Sequence, residues 1–245
     1  MPLLRIGTSG YNYAHWADGV FYPPELSPRK WLEFYSHHFD TVELNVTFYR
    51  LPKKKTFLNW YERTTSGFYF VIKGNRFITH IKRLKDCEGP LELFFSAAEG
   101  LKDKLKVVLW QMPPSLKVDI KKLEDFAEML TEIGPKNVRH SFEFRDKSWF
   151  NDGVYSVLER YNSALCIADS PRWPSAKILT ADFVYVRFHG GRILYRSNYS
   201  NEELGNWAEE IAAWIKQNRD VYAFFNNDAY GYAVKNAKQL KEILK

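Results

Sequence analysis

Thr41-Val42-Glu43-Leu44-Asn45-Val46-Thr47-Phe48-Tyr49-Arg50 opens as a β-type run and ends in polar groups that an ordinary strand leaves in water. Side chains alternate across a strand, so Val42 and Leu44 point one way, Glu43 and Asn45 the other. In a sheet covered on both faces, one carboxylate and one carboxamide are then held inside the protein, at a cost that other polar groups must offset. Runs of the same kind recur outward from this one. Upstream, Leu3-Leu4-Arg5-Ile6 breaks at Gly7-Thr8-Ser9-Gly10. Downstream, Phe68 to Lys73 again ends in a charge, and Leu105 to Gln111 closes at Met112-Pro113-Pro114. Val138 to Phe144 sets Phe142 and Phe144 opposite Ser141 and Glu143. Ala164 to Ala168 ends at Asp169-Ser170, Phe183 to His189 alternates cleanly, and Val221 to Phe225 ends in Asn226-Asn227-Asp228.

Helical spacing fills the intervals. Ser27 as N-cap with Pro28 at the first helical position opens a helix to about His38. Phe57, Trp60 and Tyr61 give helical periodicity from Lys53 to about Arg63, stopped before Gly67. Further helices are expected over residues 90–101, from the cap Asp119 to about Glu132, and over 151–161, 201–217 and 229–244. Pro171 and Pro174 stand between the sixth and seventh strands, so the helix there is expected to be missing or reduced to a turn. Eight strands alternating with helices, with no linker between them, predict an α/β fold: a single (β/α)8 TIM barrel, one domain over residues 1–245. The alternative, an open doubly wound sheet, is weakened because Gly7-Thr8-Ser9-Gly10 lacks the three spaced glycines and following acid of a dinucleotide site. No phosphate-loop, serine-elbow or zinc-protease pattern occurs either.

The 245 residues suit one such barrel, and 45% hydrophobic with 26% charged residues is a soluble globular composition. A formal charge of +6 suits an anionic partner. The excess is scattered, however, through Lys53-Lys54-Lys55, Lys82-Arg83, Lys102, Lys104 and Lys121-Lys122, which read as solvated helix faces and turns. No segment approaches the roughly 18–20 apolar residues of a membrane span, and the amino-terminal stretch lacks the apolar core of a secretory signal. No membrane partner is expected. Cys87 and Cys166, far apart and without metal-type spacing, read as reduced structural thiols, which fits a cytoplasmic protein. No cofactor motif is present and none is expected; the oligomeric state is not legible in these patterns.

Barrel enzymes assemble their sites at the carboxyl ends of the strands. The polar residues there are Thr8 and Ser9, Glu43 and Asn45, Lys73, Gln111, Glu143, Asp169, Arg187 and His189, then Asn226, Asn227 and Asp228. Tyr49 and Arg50 belong to the loop above the second strand, and His80 follows the third. Glu43, Glu143 and Asp169 are acid/base candidates, Lys73 a catalytic cation, and His189 a proton shuttle. Arg187 would stabilise anionic charge, and the remaining residues would bind ligand. A structural alternative is a buried ion-pair network, since buried charges are normally paired. Asp228 is equally suited to cap the last helix. Glu43, Glu143, Asp169 and His189 are also metal-ligand types, but Lys73 and Arg187 at the same mouth would repel a cation, so no metal is expected. Aromatic residues reach 17%, and Tyr11, Trp16, Tyr49, Trp149, Trp173, Tyr195 and Tyr199 in the loops would form either a stacking wall for a sugar or base or a small secondary core.

Taken jointly, Gly7-Thr8-Ser9-Gly10, Phe21-Tyr22-Pro23, Asp40 to Asn45 with Thr47-Phe48-Tyr49-Arg50, Gln111-Met112-Pro113-Pro114, Glu143-Phe144-Arg145, Tyr185 to Gly190 and Phe225-Asn226-Asn227-Asp228 resemble the domain-of-unknown-function 72 family, also called YecE-like. The resemblance runs nearly end to end. It implies a TIM barrel and no established activity, and a likeness to endonuclease IV-like barrels suggests a phosphate or nucleic-acid ligand by analogy. Asp146 stands where a histidine is frequent in that family. The expected function is an enzyme acting on a small polar or phosphate-bearing substrate. A nucleic-acid-binding protein or endonuclease IV-like phosphodiester hydrolase, and a non-catalytic barrel held by ion pairs, are the alternatives.

Overall fold

The alternating runs pair as parallel strands: β1 (Leu4–Thr8), β2 (Thr41–Leu44), β3 (Tyr69–Lys73), β4 (Leu105–Gln111), β5 (Arg139–Glu143), β6 (Ala164–Asp169), β7 (Phe183–Phe188) and β8 (Asp220–Phe225). The computed structural model describes residues 2–245; Met1, read above with the amino-terminal stretch, lies outside the described residues. Hydrogen-bonded neighbours run from β2 through β8 in order and on to β1, every pairing parallel. β1 and β2 complete the circle in contact with each other but without a ladder between them. The expected (β/α)8 barrel is therefore the observed one, nearly closed.

Two features hold that open seam. A Cβ on Gly7 would stand 2.4 Å from the Thr41 carbonyl oxygen, so only glycine lets the strands approach this closely. The Tyr35 hydroxyl, reaching in from the first helix, accepts from the Thr8 amide at 3.0 Å and donates to the Thr41 carbonyl at 3.1 Å. One side chain thus satisfies backbone groups that a ladder would otherwise pair.

The helices are α1 (Trp31–His38), α2 (Val46–Tyr49), α3 (Lys54–Glu62), α4 (Glu88–Ala98), α5 (Ile120–Ile133), α6 (Asp152–Arg160), α7 (Asn201–Lys216) and α8 (Tyr232–Ile243). Asp119 caps α5 as expected, accepting from the Lys122 amide at 3.0 Å, while Ser200 and Glu203 form a capping box on α7. Ser27 makes no side-chain cap; the chain instead takes a 3-10 turn over Pro28–Lys30 before α1. Asp228 does not cap either, because a 3-10 turn, Ala229–Gly231, separates it from α8. Short α2 and a π-helical turn at Phe77–Ile81 sit above the barrel where sequence patterning gave no helix. Among the described residues no helix joins β6 to β7, in keeping with the two prolines.

Alternation along the strands creates two cores. Val71, Val107, Leu109, Cys166, Phe183, Tyr185, Tyr222 and Phe224 fill the lumen, and a larger shell of apolar residues lies between sheet and helices. Burying each large apolar side chain contributes about 1.5–3 kcal/mol, which is what fixes the strand parity. That parity decides which strand-end residues reach the mouth. Among the described residues no helix is long and apolar enough to cross a membrane.

Candidate functional site

Inward parity on β7 passes from Phe183 to Tyr185 and Arg187, and the next residue of the same face is His189. Arg187 is the hub. Its guanidinium donates to both oxygens of Glu43, Nη2 to Oε1 at 2.7 Å and Nε to Oε2 at 3.0 Å, and its Nη1 donates to Glu143 Oε2 at 2.6 Å. The Tyr185 hydroxyl adds a 2.6 Å bond to Glu43 Oε2, and Arg145 donates to Glu143 Oε1 at 3.3 Å. His189 Nε2 stands 3.3 Å from the same Glu143 oxygen, and Asn226 Nδ2 is 3.2 Å from His189 Nδ1. All four carboxylate oxygens are therefore engaged.

Charge follows this pairing. Burial alone would raise Glu43 and Glu143, but the Arg187 guanidinium overcomes it and holds both below the usual carboxylate range. Tyr185 assists at Glu43, and Arg145 assists at Glu143. His189 is pushed down to about 4 by burial, so it is neutral near pH 7 despite the acid beside it. Glu43, Glu143 and His189 are fully buried and form the floor beneath the mouth.

Above this floor opens a cavity of about 800 Å³. Lys73, on the last position of β3, points into it with its Nζ 4.1 Å from the centre of the Phe48 ring. Among the described residues no carboxylate lies within 4.0 Å of Nζ and no hydrogen bond holds it. Burial, aided by the Arg187 charge, pushes Lys73 down to about 7. His80, half-buried beside it, is pushed down to about 4 by burial and then by the Lys73 cation. Arg76, exposed at the rim, and Arg145 add positive charge, so cations exceed carboxylates around the cavity.

The predicted residues separate by parity. Asn45, Tyr49, Lys73, His80, Gln111, Arg187, Asn226 and Asp228 line the cavity. Thr8 faces away, bonded to Tyr35 between β1 and α1. Asp169 is one step out of register with lumen-facing Cys166, so its carboxylate turns toward α7 and accepts from Trp207 Nε1 at 3.2 Å. Asn227, next to inward Asn226, is buried behind β8, donating to the Ser197 carbonyl and to Asn236. Arg50 is exposed and stands outside the cavity lining. Arg145 and Tyr185, given no site role by the sequence, each stand two residues from a predicted site residue and share its face. Tyr195, one of the loop aromatics expected as a stacking wall, lines the cavity, as do Arg76 and Tyr13, which no periodicity in their loops marks.

Of the loop aromatics, Trp16, Trp149 and Tyr199 belong to the secondary core, with Trp149 stacked on Phe144 at 4.5 Å. Tyr49, 70% exposed, stands at the rim. Among the described residues no three His, Cys, Asp or Glu side chains meet in a metal-holding cluster.

A family model described as protein of unknown function DUF72 matches residues 5–245. The chain is 27% identical to UPF0759 protein YunF of Bacillus subtilis, covering 99% of this chain and 95% of that one. It is 26% identical to UPF0759 protein YecE of Escherichia coli over 83% of this chain and 84% of the other. A crystal structure of a DUF72 family protein from Thermotoga maritima superposes with a TM-score of 0.86 at 32% identity, covering 99% of both chains. A glycoside hydrolase family 5 enzyme from Prevotella bryantii shares the barrel at a TM-score of 0.55 and 10% identity, over 98% of this chain and 96% of its own, a likeness of fold alone.

Proposed function

The chain belongs to the DUF72 family of proteins of unknown function, and from the chemistry of its barrel mouth we propose that it is an enzyme acting on a small anionic substrate bound there. The observation that carries this reading is the Lys73 amine, which among the described residues has no carboxylate within 4.0 Å and is buried yet open to a cavity lined by Arg76, Arg145 and Arg187 with Asp228 as the one carboxylate of the lining. Arg145, Arg187 and Arg76 would hold the anionic group, and Asn45, Gln111 and Asn226 would orient the rest of the molecule. Lys73, close to half-deprotonated near neutral pH, would move a proton or act as the nucleophile. Glu43 and Glu143 are positioning residues, since the guanidinium groups of Arg187 and Arg145 occupy their oxygens. His189 would hold Asn226 in place rather than carry the proton.

Calorimetric titration with inorganic phosphate and with oxalate tests the reading. Lys73→Met and Arg145→Met should each weaken binding roughly tenfold to a hundredfold, the worth of one charged hydrogen bond. Equal binding by wild type and both variants would remove the mouth as the anion site.

A nucleic-acid phosphate would present the same anion, and exposed Tyr49 together with Arg76 at the rim favours that second reading. It requires affinity for labelled DNA or RNA that falls steeply as salt rises above ~50 mM. The two free, buried thiols, Cys87 and Cys166, support a reducing, cytoplasmic setting.

A further inference from the structure

We propose that Lys73 forms an imine with the carbonyl group of an aldehyde or ketone that also carries a carboxylate or phosphate. The inference rests on the anion-site reading above and names the substrate class. Three arginines at the mouth already provide permanent positive charge, and a guanidinium cannot give up its proton. What a lysine adds beside them is an amine.

The geometry equips it for that role. The Lys73 carbonyl accepts from Thr47 Oγ1 at 2.6 Å, pinning the strand end from which the side chain leaves. The side chain then runs along Phe48, with Ile81 and Pro114 as further apolar lining of the same cavity. Glu43 and Glu143, the buried acids of this mouth, are saturated by Arg187, Arg145 and Tyr185, so neither clamps the ammonium. The amine is therefore kept from water on its flank and, among the described residues, has no carboxylate within 4.0 Å of its tip. A substrate anion held by Arg145 and Arg76 would bring an adjacent carbonyl carbon over Nζ.

The step balances without an outside oxidant or reductant. The amine lone pair attacks the carbonyl carbon, a C–N bond forms, and the carbonyl π pair moves to oxygen. That oxygen takes up two protons that leave the nitrogen, the C–O bond breaks, and water departs to leave the imine.

The test incubates the full-length protein near pH 7 with cyanoborohydride and, separately, glyoxylate, glycolaldehyde phosphate or neutral glycolaldehyde. Intact mass and peptide mapping follow at short times. The expected result is one reduced adduct at Lys73, formed about tenfold faster with an anionic probe than with glycolaldehyde because the cationic mouth concentrates anions. The faster of the two anionic probes tells carboxylate from phosphate. Lys73→Arg, which keeps the charge and cannot form the imine, should abolish the adduct. Melting curves of the same proteins with and without inorganic phosphate report folding and anion binding independently. Adducts spread over surface lysines, alike in wild type and Lys73→Arg, overturn the imine. If phosphate still raises the wild-type melting temperature, the anion site survives that result; if it does not, both readings fall.

Discussion

Lys73 shows how a single buried charge can lower stability. Its amine is pushed down to about 7 by burial, whereas in the unfolded chain it titrates at about 10.4. Between these values the unfolded chain binds a proton that the folded protein does not, so folding stability rises with pH across that window. Lys73→Met should therefore stabilise the protein by about 1–2 kcal/mol below pH 7, a gain that shrinks as pH approaches 10, read from urea midpoints. Any turnover through the free amine should rise with pH through about 7 in wild type and be lost in the variant. Arg187 is the converse case. Arg187→Met leaves Glu43 and Glu143 buried without their cation and should cost about 3–5 kcal/mol, a loss that chemical denaturation would register. Adding Glu43→Gln and Glu143→Gln to it should recover part of that loss, and no recovery would mean the charges are not its cause.

Among the elements, the seam between β1 and β2 carries the sharpest expectation. Tyr35 on α1 bridges the Thr8 amide and the Thr41 carbonyl, so Tyr35→Phe strands two buried backbone groups and should cost about 1–3 kcal/mol. Exchange of the Thr8 amide should accelerate in that variant more than exchange of amides on β6 or β7, and uniform acceleration would place the fault elsewhere. Gly7→Ala drives a methyl into the Thr41 carbonyl and should destabilise by roughly 1–3 kcal/mol, since the strands must part. Both changes lie directly beneath Ser9 and Asn45, which is linked to Ser9 by a 3.3 Å bond, so anion binding at the mouth should weaken along with stability. Elsewhere the outer face of β7 is covered by α7, where Trp207 packs edge-on against Phe188 at 5.0 Å.

At the level of the whole molecule, acid is the condition the fold resists least. Burial pushes His140 and His189 down to about 4, and half-buried His80 likewise, whereas the unfolded chain takes up these protons near 6.5. From about pH 6.5 to 4 the unfolded state binds more protons, so stability falls as pH falls, by up to about 1.4 kcal/mol per pH unit for each fully suppressed histidine proton. His80, open to solvent screening, contributes least. Glu43 and Glu143, both held low, are the opposite charge with the same sign of effect: their stabilisation is present above about 4.3 and is lost as pH drops through their folded values. Urea midpoints should drop through both windows, and a flat profile from pH 6.5 to 4 would show that these histidines are more hydrated than their burial implies. The net positive charge has little bearing on this, because many surface lysines sit beside acids, as in Lys54 with Glu99, Lys117 with Asp146 and Lys177 with Glu210.

The barrel and half of its mouth are legible in the order of the residues. Strand alternation, Asp119 as a cap and the prolines at 171 and 174 are local signals, and each acts within a few residues of where it is written. The same alternation, applied strictly, would have turned Thr8, Asp169 and Asn227 outward and drawn Arg145 and Tyr185 inward, because parity is also local. Which side chains meet is set by the closed barrel. Arg187 and Glu43 lie 144 positions apart, and their pairing exists because barrel closure brings β2 and β7 to face each other across one lumen. That closure spends both buried glutamates on guanidinium groups, and among the described residues Lys73 has no carboxylate within 4.0 Å. Whether a charge is paired, buried or free is a property of distance through space and of water excluded around it, and neither is encoded at the position of the residue itself.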